Sequence, residues 1–222
     1  MTVADPTLRV EHGLHRDGVE FVIGADEVGR GAIAGPVAVG LSLIETRIRK
    51  HPSGLRDSKM LSEPRREELA PLARSWSKFS AVGMASAAEV DTLGIMIALG
   101  LAGARAMKEL RDAGAPVEAS VVLLDGSHDW LTGSLPREHG PLPRVQTRVK
   151  ADRDCASVAA ASVIAKVHRD RIMIEADEVI PGYLWWSNKG YASSEHYAAI
   201  DELGASELHR HSWLHKAQPT LF

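Results

Sequence analysis

The chain reads as an α/β layered domain, with a mixed central sheet flanked by helices. Short apolar runs at 19–25, 37–44, 79–85, 119–124 and 144–149 have strand length and are bounded by turn or loop residues. Two long helical stretches, opening near Ser86 and Cys155, punctuate the later runs. The first three runs have the look of an antiparallel meander, and the last two that of crossover strands.

Residues 1–16 show no clear periodicity and are expected to lead loosely into the first strand. The first strand closes on Asp26-Glu27 and a glycine-rich turn running to Gly35-Pro36. Successive side chains on a strand point to opposite faces, so two adjacent acids serving one site call for a break or bulge there. Gly29 and Gly31 would let the backbone approach a ligand closely, with the planar cation of Arg30 between them. The turn alone is equally compatible with a tight hairpin carrying two solvated acids.

Residues 47–61 are polar and loop-like and contain Asp57-Ser58-Lys59. A helix is expected over 63–76, with Ser62 as N-cap. Ser86-Ala87-Ala88-Glu89 is a capping-box pattern opening a helix to about Ala113, with Gly114 as its stop. Val90, Leu93, Ile97, Leu101, Ala104 and Met107 recur at helical spacing and are expected to face the core. Gly94, Gly100 and Gly103 weaken this helix but permit close packing.

The valine-rich run at 119–124 is a buried-strand pattern ending in Asp125-Gly126. Residues 127–143, rich in proline and glycine, read as a loop or excursion. The last strand, at 144–149, ends in Lys150-Ala151-Asp152, and a helix runs from about Cys155 to Val179. The alanines of its first half would let it lie tightly on a sheet. Residues 181–213 form short elements crowded with aromatics and histidines.

With 222 residues and 45% apolar content, the chain can bury a sizeable single core. Its one cysteine, Cys155, excludes an internal disulfide. No apolar run spans a membrane and the N-terminus is unlike a signal peptide, so cytoplasm is the expected location. Net charge is −3, but it is segregated. Residues 47–78 hold nine Lys/Arg against four Asp/Glu, and residues 144–171 hold seven against three. Such segregation can build a positive face on an acidic protein.

Asp26-Glu27, Asp125 and Asp152 share one context, at or just beyond a strand end. Carboxylates at neighbouring strand ends converge on one sheet edge, where open α/β sheets bind ligands. Crowded carboxylates repel each other, and a divalent cation removes the conflict. Oxygen-only ligands suit Mg²⁺ or Mn²⁺, and two such ions make a site for phosphoryl chemistry. Asp57, Asp154 and Asp170 read instead as salt-bridge or capping residues.

Six ordered blocks then carry a resemblance to the ribonuclease HII (type 2 ribonuclease H) family, from about Phe21 to Trp213. They are Gly24 to Pro36, Asp57 to Ser62, Asp125-Gly126, Lys150 to Asp152 with Ala160 to Asp170, Lys189 to Tyr191, and His209 to Trp213. The resemblance implies an RNase H-like fold over 1–213, a short tail at 214–222, and a monomer. It implies an endonuclease that cuts the RNA strand of RNA/DNA hybrids and cuts 5′ to single ribonucleotides in duplex DNA. Asp26, Glu27, Asp125 and Asp152 become its metal-holding acids; the fourth follows from spacing to Lys166, which fits Asp152 and not Asp154. Gly29, Arg30 and Gly31 become readers of the ribose 2′-hydroxyl, Tyr191 a stacking platform for the next deoxyribose, Lys59 a phosphate contact, and Lys189 a substrate-side residue.

Type 3 enzymes carry threonine where Arg30 stands, so Arg30 favours type 2. The alternatives are a type 3-like enzyme preferring long hybrids, or an inactive nucleic-acid-binding module. The final residues, Gln218 to Phe222, resemble the Gln-x-x-Leu-Phe peptide that docks on bacterial sliding clamps. Gln218, Leu221 and Phe222 would be its contacts, unless the tail folds back to bury its own apolar residues.

Overall fold

The computed structural model describes residues 5–136 and 141–214. Five strands form one sheet in the order β3-β2-β1-β4-β5. They are β1 (Phe21–Val28), β2 (Val37–Glu45), β3 (Phe79–Ala85), β4 (Ser120–Asp125) and β5 (Arg144–Arg148). The first three pair antiparallel, and β1-β4 and β4-β5 pair parallel, as the run order predicts.

Helices cover both faces. On one, α4 (Ile95–Asp112) packs Leu99, Ala102, Ala106 and Met107 against Ile23, Ala25, Val39 and Leu41. On the other lies α6 (Ala156–Val179), backed by α2 (Glu63–Trp76) through Leu69, Ala73, Ala160 and Ile164. A Cβ on Gly24 would sit 2.2 Å from the Ser157 backbone, so α6 rests directly on β1. That contact brings the α6 residue Ser162 to Asp26.

Several expectations fail for identifiable reasons. Residues 9–16 are not a loose leader but a helix, α1 (Arg9–Arg16). Its Glu11 is fully buried and accepts hydrogen bonds from Ser157 N (2.9 Å) and Ser157 Oγ (2.8 Å). It thereby caps α6 from a distance, while Leu14 and Val10 on the apolar side of α1 pack with Val22, Val121 and Val158, so the helix is held both by its amphipathic face and by this tertiary contact.

The helix expected over 86–113 is two helices, α3 (Ala87–Leu93) and α4. The Ser86 capping box is present, but Gly94 adopts φ +77° and resets the helical phase. The expected core stripe therefore slips. Leu93 and Ile97 are exposed, and the inward face of α4 is built largely of Ala98, Leu99, Ala102, Gly103 and Ala106. Close packing on the sheet selected small side chains there, against the preference for large ones.

The 127–143 excursion is anchored where it is described. Trp130, Leu131 and Leu135 are buried against α4, where Gly100 and Gly103 leave room for them.

Candidate active site

The expected break at Asp26-Glu27 is absent. β1 stays in unbroken register with β2 through Asp26↔Gly40, Glu27↔Val39 and Val28↔Ala38. What stops is the pairing with β4, whose last partner for β1 is Leu124 opposite Ala25. β1 thus runs three residues past its last pair with β4, and Asp125 lies at the open corner so formed. Both sides of the β1 end open on this corner, so no bulge is needed.

Asp26 is buried; its Oδ1 accepts from the Glu27 amide (2.9 Å), and the Ser162 hydroxyl lies beside it. Burial first, then Glu27 and Asp125, push its carboxyl well above the carboxylate range. Glu27 is also raised, by burial and by Asp125, although Arg30 opposes the shift from 3.5 Å. Asp125 Oδ1 accepts from Ala151 N (2.7 Å) and Asp152 N (3.4 Å), the opening of the short helix α5 (Ala151–Asp154). Asp152 is buried, and desolvation, then Asp125 and Asp57, raise it to about 6. Partial desolvation works against the Lys59 ammonium, yet Asp26, Asp57, Asp152 and Glu27 together hold its pKa above the ordinary value.

Asp26, Glu27, Asp125, Asp152 and Lys59 are thus one electrostatic unit, in which Asp125 acts on the other three acids and Asp26, Glu27 and Asp152, with Asp57, act on the lysine. Among the described residues no three acids are yet gathered as a formed coordination shell, and Glu27 is drawn towards Arg30. The donor chemistry nevertheless fits a hard divalent cation, since every candidate atom is a carboxylate oxygen and the acids raise one another's pKa despite Lys59 and Arg30.

The turn adjoins this corner. Gly29 has φ +79°, and a Cβ there would sit 2.1 Å from Arg169 Nε. Gly31 differs: its φ is not positive and a Cβ would meet nothing within 4 Å, so the fold does not require glycine there. The exposed guanidinium of Arg30 also contacts Met96 Sδ at 3.8 Å. Gly29 N donates to Tyr191 Oη (3.2 Å), which ties the tyrosine to the turn across 162 residues of sequence. The Tyr191 ring is partly exposed and lies under the Lys166 and Arg169 cations, each 5.3 Å from its centroid.

Lys189 does not join them. Its buried ammonium donates to Glu63 Oε2 (3.3 Å) and to the Trp186 carbonyl, which makes it a packing cation rather than an open substrate contact. Asp154 pairs with Arg148 (2.6 Å) and Asp170 with Lys166 (2.7 Å), while Asp57 accepts from Lys59 N (3.0 Å) as the cap of a short helical turn. These three keep the structural roles expected of them. Gln218, Leu221 and Phe222 lie outside the described residues.

Two residues that hold the turn were not singled out from sequence. Arg169, fully buried, donates to the carbonyls of Ala34, Pro36 and Lys189 at 2.8–3.0 Å. Arg210, also fully buried, donates to those of Gly29 (2.7 Å), Arg30 (3.0 Å) and Gly35 (3.1 Å). Both sit inside blocks that carried the resemblance, which was the available signal. Behind them, Ser206 N donates to His209 Nδ1 (2.9 Å), so His209 Nε2 carries the proton given to His196 Nε2 (3.1 Å). His196 Nδ1 then donates to the Tyr191 carbonyl (2.9 Å), extending the support to the tyrosine backbone.

The ribonuclease HII family model matches residues 23–216. The chain belongs to the ribonuclease HII family. Ribonuclease HII of Streptomyces griseus is 46% identical over 217 residues, spanning 96% of this chain and 86% of that one. Ribonuclease HII of Paracoccus denitrificans is 41% identical, spanning 94% and 91%. Among solved structures, RNase HII of Archaeoglobus fulgidus in complex with PCNA aligns with a TM-score of 0.66 at 30% identity, over 90% of this chain and 98% of that one. An RNase HIII solved with Mn²⁺ aligns at 0.65 and 24% identity, over 86% and 65%, a likeness of fold. As a ribonuclease HII, the chain is a ribonuclease H endonuclease with an RNase H-like fold. No helix among the described residues is long and apolar enough to cross a membrane.

Proposed function

We propose that this ribonuclease H cleaves the RNA strand of RNA/DNA hybrids and cuts 5′ to single ribonucleotides in duplex DNA, leaving a 3′-hydroxyl and a 5′-phosphate. The supporting observation is the junction of the four-acid corner with the Gly29–Gly31 turn and Tyr191. Two divalent cations, Mg²⁺ or Mn²⁺, held by Asp26, Glu27, Asp125 and Asp152, would supply the activated water and stabilise the departing oxygen. Lys59 holds a substrate phosphate beside the acids. The open space at Gly31 admits the sugar edge, and Arg30 with the turn backbone reads its 2′-hydroxyl, the group that distinguishes ribose. Tyr191 packs on the next deoxyribose, its ring held by Arg169 and its hydroxyl by Gly29.

The catalytic unit is residues 1–213, and the tail from Gln218 to Phe222 docks on a sliding clamp, the class of partner on which the archaeal relative was solved. Leu221 and Phe222 would fill an apolar pocket and Gln218 would bond at its rim.

The test is cleavage of labelled duplexes carrying one ribonucleotide, a long hybrid, or no ribonucleotide, with Mg²⁺, Mn²⁺ or chelator. Metal-dependent cutting on the 5′ side of the lone ribonucleotide is expected. Cutting confined to the long hybrid would overturn the junction reading. For the tail, full-length protein should bind the clamp and a version ending at Lys216 should not.

A further inference from the structure

We propose that the cleft beside Asp152 is a second anchor for the substrate, a groove that takes a backbone phosphate of the flanking duplex. This rests on the nucleic-acid substrate proposed above and adds a binding site to it. The cleft has a volume of about 460 Å³, and its walls carry Arg9, Arg148, Lys150 and Arg153 with Asp5 and Asp154.

Both acids are already neutralised within the protein. Asp5 pairs with Arg56 and Asp154 with Arg148, each at 2.6 Å. Arg9 and Lys150 have no carboxylate within ion-pair distance among the described residues. The cleft therefore presents uncompensated positive charge, the complement of a phosphate.

The two basic segments of the sequence meet at this place. Arg56 reaches Asp5, and Arg153 lies 3.6 Å from Asp57, whose other oxygen caps the turn bearing Lys59. These ion pairs tie the cleft wall to the turn that bears Lys59 at the acid corner. Lys150 is two residues from Asp152, so their Cα atoms lie within about 7.6 Å. A strand with one phosphate at the acids brings a neighbouring phosphate to that distance.

The Arg9 wall is built in. Thr7 forms a β-bridge with Cys155, its amide donates to the Asp154 carbonyl (3.1 Å), and its carbonyl accepts from Ala156 N (3.0 Å). The family match begins at residue 23, so this wall comes from a segment outside it. Lys150 holds φ +62°, a left-handed conformation that costs a lysine stability.

The experiment measures binding in chelator, without cleavage, to duplexes with one ribonucleotide whose flanks are shortened stepwise from either side. Arg9→Ala/Lys150→Ala should bind the long duplex roughly tenfold more weakly, with the salt slope reduced by about one to two. The loss should vanish when one particular flank is trimmed. Lys150→Gly removes the charge while relieving the backbone, so it should weaken binding without lowering thermal stability. An unchanged salt slope, or a loss equal at every length and on either side, would overturn the groove. A protein that binds with this slope but never cuts at a ribonucleotide would sink the activity reading and leave the groove standing.

Discussion

At the acid corner carboxylates crowd together, with Asp26, Glu27, Asp152 and Asp57 all acting on one lysine, whereas behind the neighbouring turn two buried arginines have no carboxylate within ion-pair distance among the described residues. The arginines tolerate this because each guanidinium is wrapped by three backbone carbonyls, and a delocalised cation is satisfied by such acceptors. Arg210 is pushed down to about 10, by burial and then by Arg169, and still carries its charge at neutral pH. Asp26, Glu27 and Asp152 are not enclosed in this way, and burial first, then neighbouring acids, raise their pKa. One region resolves its charge within the chain; the other leaves it to be resolved by something bound.

The largest effect should come from removing an acid. Asp26→Asn or Asp125→Asn should lower cleavage by at least about 10²–10³-fold, the scale of losing one preorganised electrostatic partner. Thermal stability without metal should stay level or rise, because repulsion is relieved. Near-normal cleavage by both variants at saturating Mn²⁺ would remove the site assignment.

The mirror experiment is Arg210→Met. It strands the carbonyls of Gly29, Arg30 and Gly35, at a cost of roughly 3 kcal/mol or more in urea unfolding. Arg210→Lys should recover only part, because an ammonium lacks the planar fork. Full recovery by lysine would show that charge alone supports the turn.

The two glycines of the turn sharpen the contrast further. Gly29→Ala meets Arg169 at an unfavourable φ and should cost about 1–3 kcal/mol of stability. Gly31→Ala has open space and should change stability by less than about 0.5 kcal/mol. It should nevertheless depress cleavage at a single ribonucleotide, where the new methyl obstructs the sugar. Normal cleavage by Gly31→Ala would mean that nothing approaches there.

The smallest effect is in the pH profile of stability, where the regions tilt in opposite directions. Desolvation, then His196, lower His209 to about 4 in the fold, below the ordinary 6.5. The unfolded chain protonates first, so this contribution is present above pH 6.5 and lost as pH falls towards 4. Asp152 is raised to about 6 from 3.8, so its contribution is full below 3.8 and is lost as pH rises through 6. In metal-free thermal melts, Asp152→Asn should therefore fall in stability more steeply on acidification than the wild type. A parallel shift of the two curves would show that Asp152 titrates normally.

The strands β2 and β3, the helix at 63–76 and the Ser86 cap were legible because each has a local signature, an apolar run or a capping residue, and the strand-end positions of the four acids foretold that they would meet at one corner. Other features depend on partners distant in sequence. Helix α1 is fixed in place by Glu11 meeting Ser157, 146 residues away, and by Leu14 reaching the sheet, and the inward face of α4 follows from the sheet's demand for small side chains. Asp26 and Glu27 share a site without a bulge because β4 ends early, a property of strand registry. Arg169 and Arg210 carried no individual signal in the sequence, and only the fold encloses them with six carbonyls. Local chemistry was written in the order of residues; which charges are left unresolved was decided only when remote backbone came together around some of them and not around others.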